Sequence, residues 1–501
     1  MLLLKSLQNE AARTEAAKTI PVRPADEPAP LSFAQRRLFF VDQLFPQSPA
    51  YNMPAAVRLR GPLQVAVLEQ SFNEEIRRHD ILRTTFAFAN GEPVQIISPA
   101  APVSLSLVDL SEIAATQRES VARETAKQQG RRPFDLDRGP LVRLSLLRLS
   151  DDDHIVVLTM HHIISDAVSI EIFIRELSVL YESYATGNPS PLPHLSLQYA
   201  DYAYWQRQHF QETVLDRQLD YWKKQLTGVT EIPELRTDLS RPEVQTYHGG
   251  QHLFSLDKDL FEHLQALSRR TNVTPFMLLL AVFKVLLYSF TNHPDVVVGS
   301  PVDNRQRVEL EGMIGFFLNT LVLRTDLSSN PEFEQLLERV REMVLGAHAH
   351  QDLPFETLVS TLQPERNIGR TLLFQVWFLY QIAPPVTASP DSSIEITSFP
   401  VDYEISHYDF RLNLIETPDG IGGAFEYNTD LFLPATIKRF ARQFETLARL
   451  IVKQPRIKVN ELTSALSEDE RERRSEIQRQ RKYTNLDRLS NVKRRAVAEL
   501  F

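Results

Sequence analysis

The sequence contains no cysteine, which excludes a disulfide framework, cysteine metal ligands and a cysteine nucleophile. It fits a reducing compartment, with the cytoplasm as the expected location. Glycine is sparse, 16 residues against 31 prolines, a balance that points to many defined loops rather than low complexity. Basic residues do not outnumber acidic ones: 55 Lys and Arg stand against 64 Asp and Glu, a formal charge of −9. The chain therefore carries no overall electrostatic footprint for nucleic acid. Long apolar runs are also lacking. Met1 to Leu4 gives way at once to Lys5, Asn9 and Glu10, too short a core for a secretory signal. The run Phe276 to Tyr288 is interrupted by Lys284 and falls short of the ~20 residues that span a bilayer. No membrane segment is expected.

What remains is an ordinary globular composition, 43% hydrophobic and 24% charged. At 501 residues the chain is too long for one small core, so at least two lobes or a split architecture is expected. Met1 to about Ala17 reads as weakly helical. Pro21, Pro24, Pro28 and Pro30 then mark residues 1–30 as a linker before a body that begins at Leu31. Ser32 caps an amphipathic helix to Leu44. Strands are expected at Ala55 to Leu59 and Val94 to Ile97, with a helix from Val67 to Arg78.

His154 to Met160 is a nearly unbroken apolar run rich in β-branched residues and reads as a buried central strand. Ser169 to Tyr181 has helical spacing, so residues 161–168 form a strand-to-helix turn. Thr274 and Pro275 supply a cap and a first-turn proline for a helix from Phe276 to Tyr288. A strand follows at Asp295 to Val298, with Gly299, Ser300 and Pro301 expected to stop it. Helices alternating with strands through both halves give an α/β class, with lobes at 31–205 and 206–466. Ser467 to Glu470 reads as a capping box opening a charged tail, 467–501, expected to leave the core and available as a docking element.

The strongest chemical feature lies between Met160 and Ala167, where His161, His162 and Asp166 share a turn leaving a buried strand. Histidine can exchange a proton near neutral pH. Structural histidines remain an alternative reading; a metal site lacks a second cluster at ligand spacing.

His161 to Asp166 resembles the His-His-x-x-x-Asp-Gly signature of nonribosomal peptide synthetase condensation domains. Further stretches resemble the family's other motifs in order: Ser32 to Leu38, Arg78 to Phe86, Tyr199 to Trp205, Ile314 to Thr320, His350 to Glu356 and, less closely, Arg366 to Gln375. The resemblance covers roughly residues 31–460. It implies two chloramphenicol-acetyltransferase-like lobes forming a V-shaped pseudo-dimer around a central channel. Donor and acceptor acyl or peptidyl carrier proteins, the partners it implies along with neighbouring synthetase modules, would bring their phosphopantetheine arms to His162. An amide, or less often an ester, would form there with no cofactor bound by this domain.

In family terms His162 is the reactive residue and His161 is structural. Asp166 either orients His162 or, the favoured reading, ties the turn to an arginine, with Arg83 and Arg305 as candidates. Ala167 replaces the signature glycine, which either strains the backbone or narrows the channel. Ser169, Tyr199, Trp205, Phe316 and Asn319 are expected to shape the channel, with core packing as the competing reading for the aromatic stretches. The rival function is a non-catalytic module that recruits carriers or tailoring enzymes.

Overall fold

The computed structural model describes residues 20–209, 212–229, 235–362, 373–383 and 394–471. The first half runs β1 (Ala29–Pro30), α1 (Phe33–Leu44), β2 (Asn52–Arg60), α2 (Val65–Arg78), β3 (Thr84–Ala89), β4 (Glu92–Ile97), β5 (Ser106–Asp109), α3 (Ala115–Arg131), β6 (Val142–Ser150), β7 (Asp153–His161), α4 (Ala167–Ala185) and α5 (Tyr199–His209). The second runs α6 (Glu212–Gln225), β8 (Gly249–Asp257), α7 (Lys258–Arg270), α8 (Pro275–Thr291), β9 (Asp295–Asp303), β10 (Leu318–Asp326), α9 (Phe333–Ala349), α10 (Phe355–Leu362), β11 (Val376–Ile382), β12 (Glu395–Ser398), β13 (Phe410–Thr417), β14 (Gly420–Asn428) and α11 (Pro434–Lys453).

The strands form a five-stranded sheet, β12-β2-β7-β6-β5, a six-stranded sheet, β10-β9-β11-β13-β14-β8, and a small β1-β4-β3 sheet. The sheet of the first half takes its edge strand β12 from the second, Ile396 lying opposite Leu59. Division of the chain at residue 205 does not provide for that exchange.

β7 is central and buried along nearly its whole length, because helices cover both faces of its sheet. Val156, Leu158 and Met160 pack in one core with Ile172 and Phe173 of α4. Ile155 and Val157 pack in another with Ala122 and Ala126 of α3. With side chains alternating between faces, a strand covered on both sides needs apolar residues throughout, as the run predicts. The second half is organised on α8, whose residues Met277 to Leu287 are all buried. Its one cation, Lys284, donates to the carbonyls of Val296 and Leu323 at 3.1 and 2.7 Å, and burial lowers its pKa to about 7. Among the described residues no single helix is long and apolar enough to cross a membrane.

Several expectations are corrected. The stretch 20–30 is anchored to the body at points along an otherwise largely exposed path: Ile20 is buried in the first core, Arg23 N–H donates to Asp201, and β1 pairs with β4. Gly299, Ser300 and Pro301 continue β9 to Asp303 rather than ending it. Among the described residues β11 pairs with β9 only between Trp377 and Gly299, so Pro301 has no ladder partner on that side, where a proline is tolerated. A Cβ on Gly299 would lie 2.3 Å from the Phe374 ring, so this glycine serves close packing. Ser467 sits inside a helix of residues 459–471, its hydroxyl donating to the Thr463 carbonyl. That helix buries Leu462 and Leu466 in the second core. The stretches 1–17 and 366–372, and the tail from residue 472, fall outside the described residues.

Candidate active site

The two histidines part company because β7 ends between them. His161 is the last strand residue and is buried, its ring edge-on to Phe134. Its Nδ1 accepts the Ile163 N–H at 3.1 Å. Burial, with the neighbouring His162 and Arg143, lowers its pKa to about 3. His162 starts a short 3-10 turn, His162–Ile164, and its side chain is half-buried.

The turn is pinned from several sides. The His162 N–H donates to the Tyr51 carbonyl at 2.8 Å. Gln35, which completes a capping box with Ser32 at the start of α1, donates from Nε2 to the Ile163 carbonyl at 3.1 Å. The His162 ring lies 4.6 Å from that of Phe316.

His162 Nδ1 is 2.7 Å from the Ser165 carbonyl. A carbonyl only accepts, so Nδ1 carries the hydrogen, and the neutral ring keeps its lone pair on Nε2. Burial lowers the pKa of His162, opposed by the Ser165 carbonyl and Asp166 and assisted by Arg37. At neutral pH the imidazole is thus uncharged, with one nitrogen fixed and one free to accept.

Asp166 does not reach that ring nitrogen. It caps α4, accepting from Ser169 N at 2.8 Å and from Ser169 Oγ at 2.7 Å, and it accepts from Phe317 N at 3.1 Å. Of its two candidate partners, Arg305 pairs with it at 3.0 Å, both side chains buried. Arg305 also donates to the Leu310 carbonyl at 2.9 Å and the Met313 carbonyl at 2.5 Å and lies over the Phe317 ring at 3.9 Å. The second candidate, Arg83, is engaged instead by Asp80, three residues away on the same turn, and by the Ser98 carbonyl. Asp166 therefore joins the histidine turn to the 310–317 segment of the second half. Ala167 is the first residue of α4 and exposed. It is not among the residues with positive φ, so alanine in place of glycine strains nothing.

Of the residues expected to shape a channel, Phe316 meets His162. Ser169 is fully buried; its Oγ accepts the Gly315 N–H at 3.1 Å and shares its single hydrogen between Asp166 and the Gly315 carbonyl, at 2.7 and 2.8 Å. Tyr199 is buried too, its hydroxyl bonded to the Phe316 carbonyl and Ser32 Oγ at 2.5 and 2.9 Å. Asn319 donates to the carbonyls of Gln351 and Leu353 at 2.7 and 2.8 Å, holding the 350–355 loop. Trp205 packs against Tyr202, with Arg307 over its ring. Ser169, Tyr199 and Trp205 lie in the packing between the halves, whereas Asn319 ties together segments of the second half; in both places buried backbone polar groups must be satisfied.

Around His162 stand groups that the motifs did not single out. Arg37 of α1 pairs with Glu356 of α10 at 3.7 Å, and Tyr51, Tyr247 and Tyr408 lie within electrostatic reach of that guanidinium. Arg37 lies inside a recognised motif, so its presence was visible and only its direction was not. Tyr51 and Tyr247 lie in none.

The sequence matches the Condensation domain family over residues 25–473. It is 46% identical over 451 residues to one of the linear gramicidin synthase proteins of Brevibacillus parabrevis, covering 90% of this chain and 6% of that protein. It is 39% identical over 460 residues to the phosphinothricin tripeptide synthetase of Streptomyces viridochromogenes, covering 90% of this chain and 42% of that protein. The chain thus spans a small part of such relatives. Among solved structures, the X-domain in complex with OxyB from teicoplanin biosynthesis superposes with a TM-score of 0.80 at 28% identity, over 89% of this chain and 98% of that one. The first condensation domain of the calcium-dependent antibiotic synthetase shares the fold, with a TM-score of 0.71 at 22% identity over 86% and 98%. On the family match across nine-tenths of its length, the chain belongs to the condensation-domain family.

Proposed function

We propose that this chain condenses a carrier-tethered acyl or peptidyl thioester with a tethered acceptor amine, in nonribosomal peptide biosynthesis. The observation that carries the reading is the state of His162: neutral, its Nδ1–H tied to the Ser165 carbonyl, and, among the described residues, its Nε2 without a hydrogen bond on a half-buried ring. The acceptor nitrogen attacks the thioester carbonyl carbon, forming the C–N bond and a tetrahedral adduct. The attacking nitrogen becomes acidic as that bond forms, so even an imidazole of lowered pKa can take its proton at Nε2. Collapse breaks the C–S bond, and the proton passes to the departing sulfur. Donor and acceptor carriers are the proposed partners, their phosphopantetheine arms holding both substrates, and the released thiol stays on the donor carrier. Bringing two tethered ends together contributes up to ~7 to 11 kcal/mol by orientation alone.

The lobes proposed for this work are 31–205 and 206–466, apart from the β12 exchange. A recruiting module without chemistry would not need an accessible imidazole in a fixed tautomer. The test uses two loaded carriers and intact-mass readout: His162→Ala should leave the donor mass on its own carrier while the thermal melt stays unchanged. Undiminished transfer by that variant would overturn the proposal.

A further inference from the structure

A second imidazole reaches the same site from the other half of the molecule. His407 lies just before β13, and its ring centroid is 5.1 Å from that of Tyr51, the residue whose carbonyl holds the His162 N–H at 2.8 Å. The Tyr247 and Tyr408 rings stand at 5.9 and 6.3 Å. The backbone here is fixed. Ser406 N–H donates to the Tyr247 carbonyl at 3.0 Å, Gln245 Nε2 donates to the His407 carbonyl at 2.8 Å, and Asp409 pairs with Arg241.

The ring itself is half-buried, and among the described residues no hydrogen bond reaches either of its nitrogens. The ring is thus a polar group held by a rigid backbone among aromatic rings, with its donor and acceptor both open to a ligand. Its charge state is settled by its surroundings. Burial, then Arg411, His162 and Arg37, lower its pKa to about 3, so it offers one N–H and one lone pair at any working pH. Held as the neutral imidazole, it can supply a fixed hydrogen bond.

We propose that His407 contacts substrate in the same reaction, hydrogen-bonding the amide- or amine-bearing end of a tethered substrate while His162 serves the bond-forming nitrogen. The inference rests on the condensation reading above. Both substrates bring such groups: the donor has amide N–H and C=O, and the acceptor has its amine and the amides of its arm. Separate titrations of the two loaded carriers distinguish the source.

With one carrier saturating and the other varied, His407→Ala should raise KM for one of the two by about five-fold or more and leave kcat within about three-fold. His407→Asn, which keeps a donor and an acceptor, should recover most of the loss. In a His162→Ala background, an aminoacyl pantetheine amide that cannot be turned over should bind more weakly once His407 is replaced. Unchanged KM for both carriers, or a fall in activity that follows a lowered melting temperature and is not recovered by asparagine, would overturn the assignment of His407. Full activity of His162→Ala alone would instead defeat the condensation reading, so the two failures are told apart.

Discussion

Removal of Arg305 is the perturbation that most directly separates a scaffolding Asp166 from a catalytic one. The Asp166 carboxylate receives three neutral donors, Ser169 N, Ser169 Oγ and Phe317 N, and one cation, Arg305 at 3.0 Å. Both side chains are buried. Arg305→Met fills the volume but leaves a buried anion uncompensated and removes a donor from the Met313 carbonyl and one of two from the Leu310 carbonyl, which keeps the Met313 N–H. Breaking such a pair from one side costs about 3–5 kcal/mol. Asp166→Asn strands the guanidinium in the same way, so each single variant should show a loss of that size in urea denaturation. The double variant should fall short of the sum by about 2 kcal/mol or more, since the second change removes the charge that the first left unpaired. Turnover on loaded carriers should drop in all three, with Asp166→Asn no worse than Arg305→Met, because both act by loosening the turn that places His162. Were Asp166 instead the orienting member of a triad, its amide variant would lose about 10⁴-fold in rate with stability intact. That result, or additive stability losses, would refute the scaffolding argument.

Three further outcomes are expected. His162 is held below the usual histidine range, so it stays in its proton-accepting form as pH falls past 6.5; transfer rates should persist there and decline only on further acidification, and an acid limb centred above pH 7 would contradict the burial argument. Glu75 is fully buried and, among the described residues, neither of its carboxyl oxygens is hydrogen-bonded, and burial, then Glu176, raises its pKa well above the ordinary value. The native state therefore favours its neutral form and loses stability as pH rises above the unfolded value near 4.5; Glu75→Met should gain about 1–3 kcal/mol at neutral pH, and a lowered melting temperature would refute this. A Cβ on Gly315 would lie 1.9 Å from the Tyr199 ring, so Gly315→Ala should cost about 1–3 kcal/mol by overpacking and slow turnover by displacing Phe316; a variant with wild-type melting would refute it.

By itself the sequence determined the local elements around the site. The apolar run from His154 to Met160, the helix after Asp166 and the caps at Ser32 and Thr274 follow from apolar continuity, helical period and first-turn hydrogen bonding, all of which are near-neighbour physics. The ordered motifs carried the family. Only the tertiary structure decided which arginine meets Asp166, since Arg83 was equally suitable by type but is held by Asp80 close by, while Arg305 arrives from 139 residues away. It also decided that Ile20 and β1 are anchored on the body, that β12 crosses to the other sheet, and that His407 stands beside Tyr51. Each of these depends on segments far apart in the chain meeting in space, and neither residue type nor spacing encodes such a meeting.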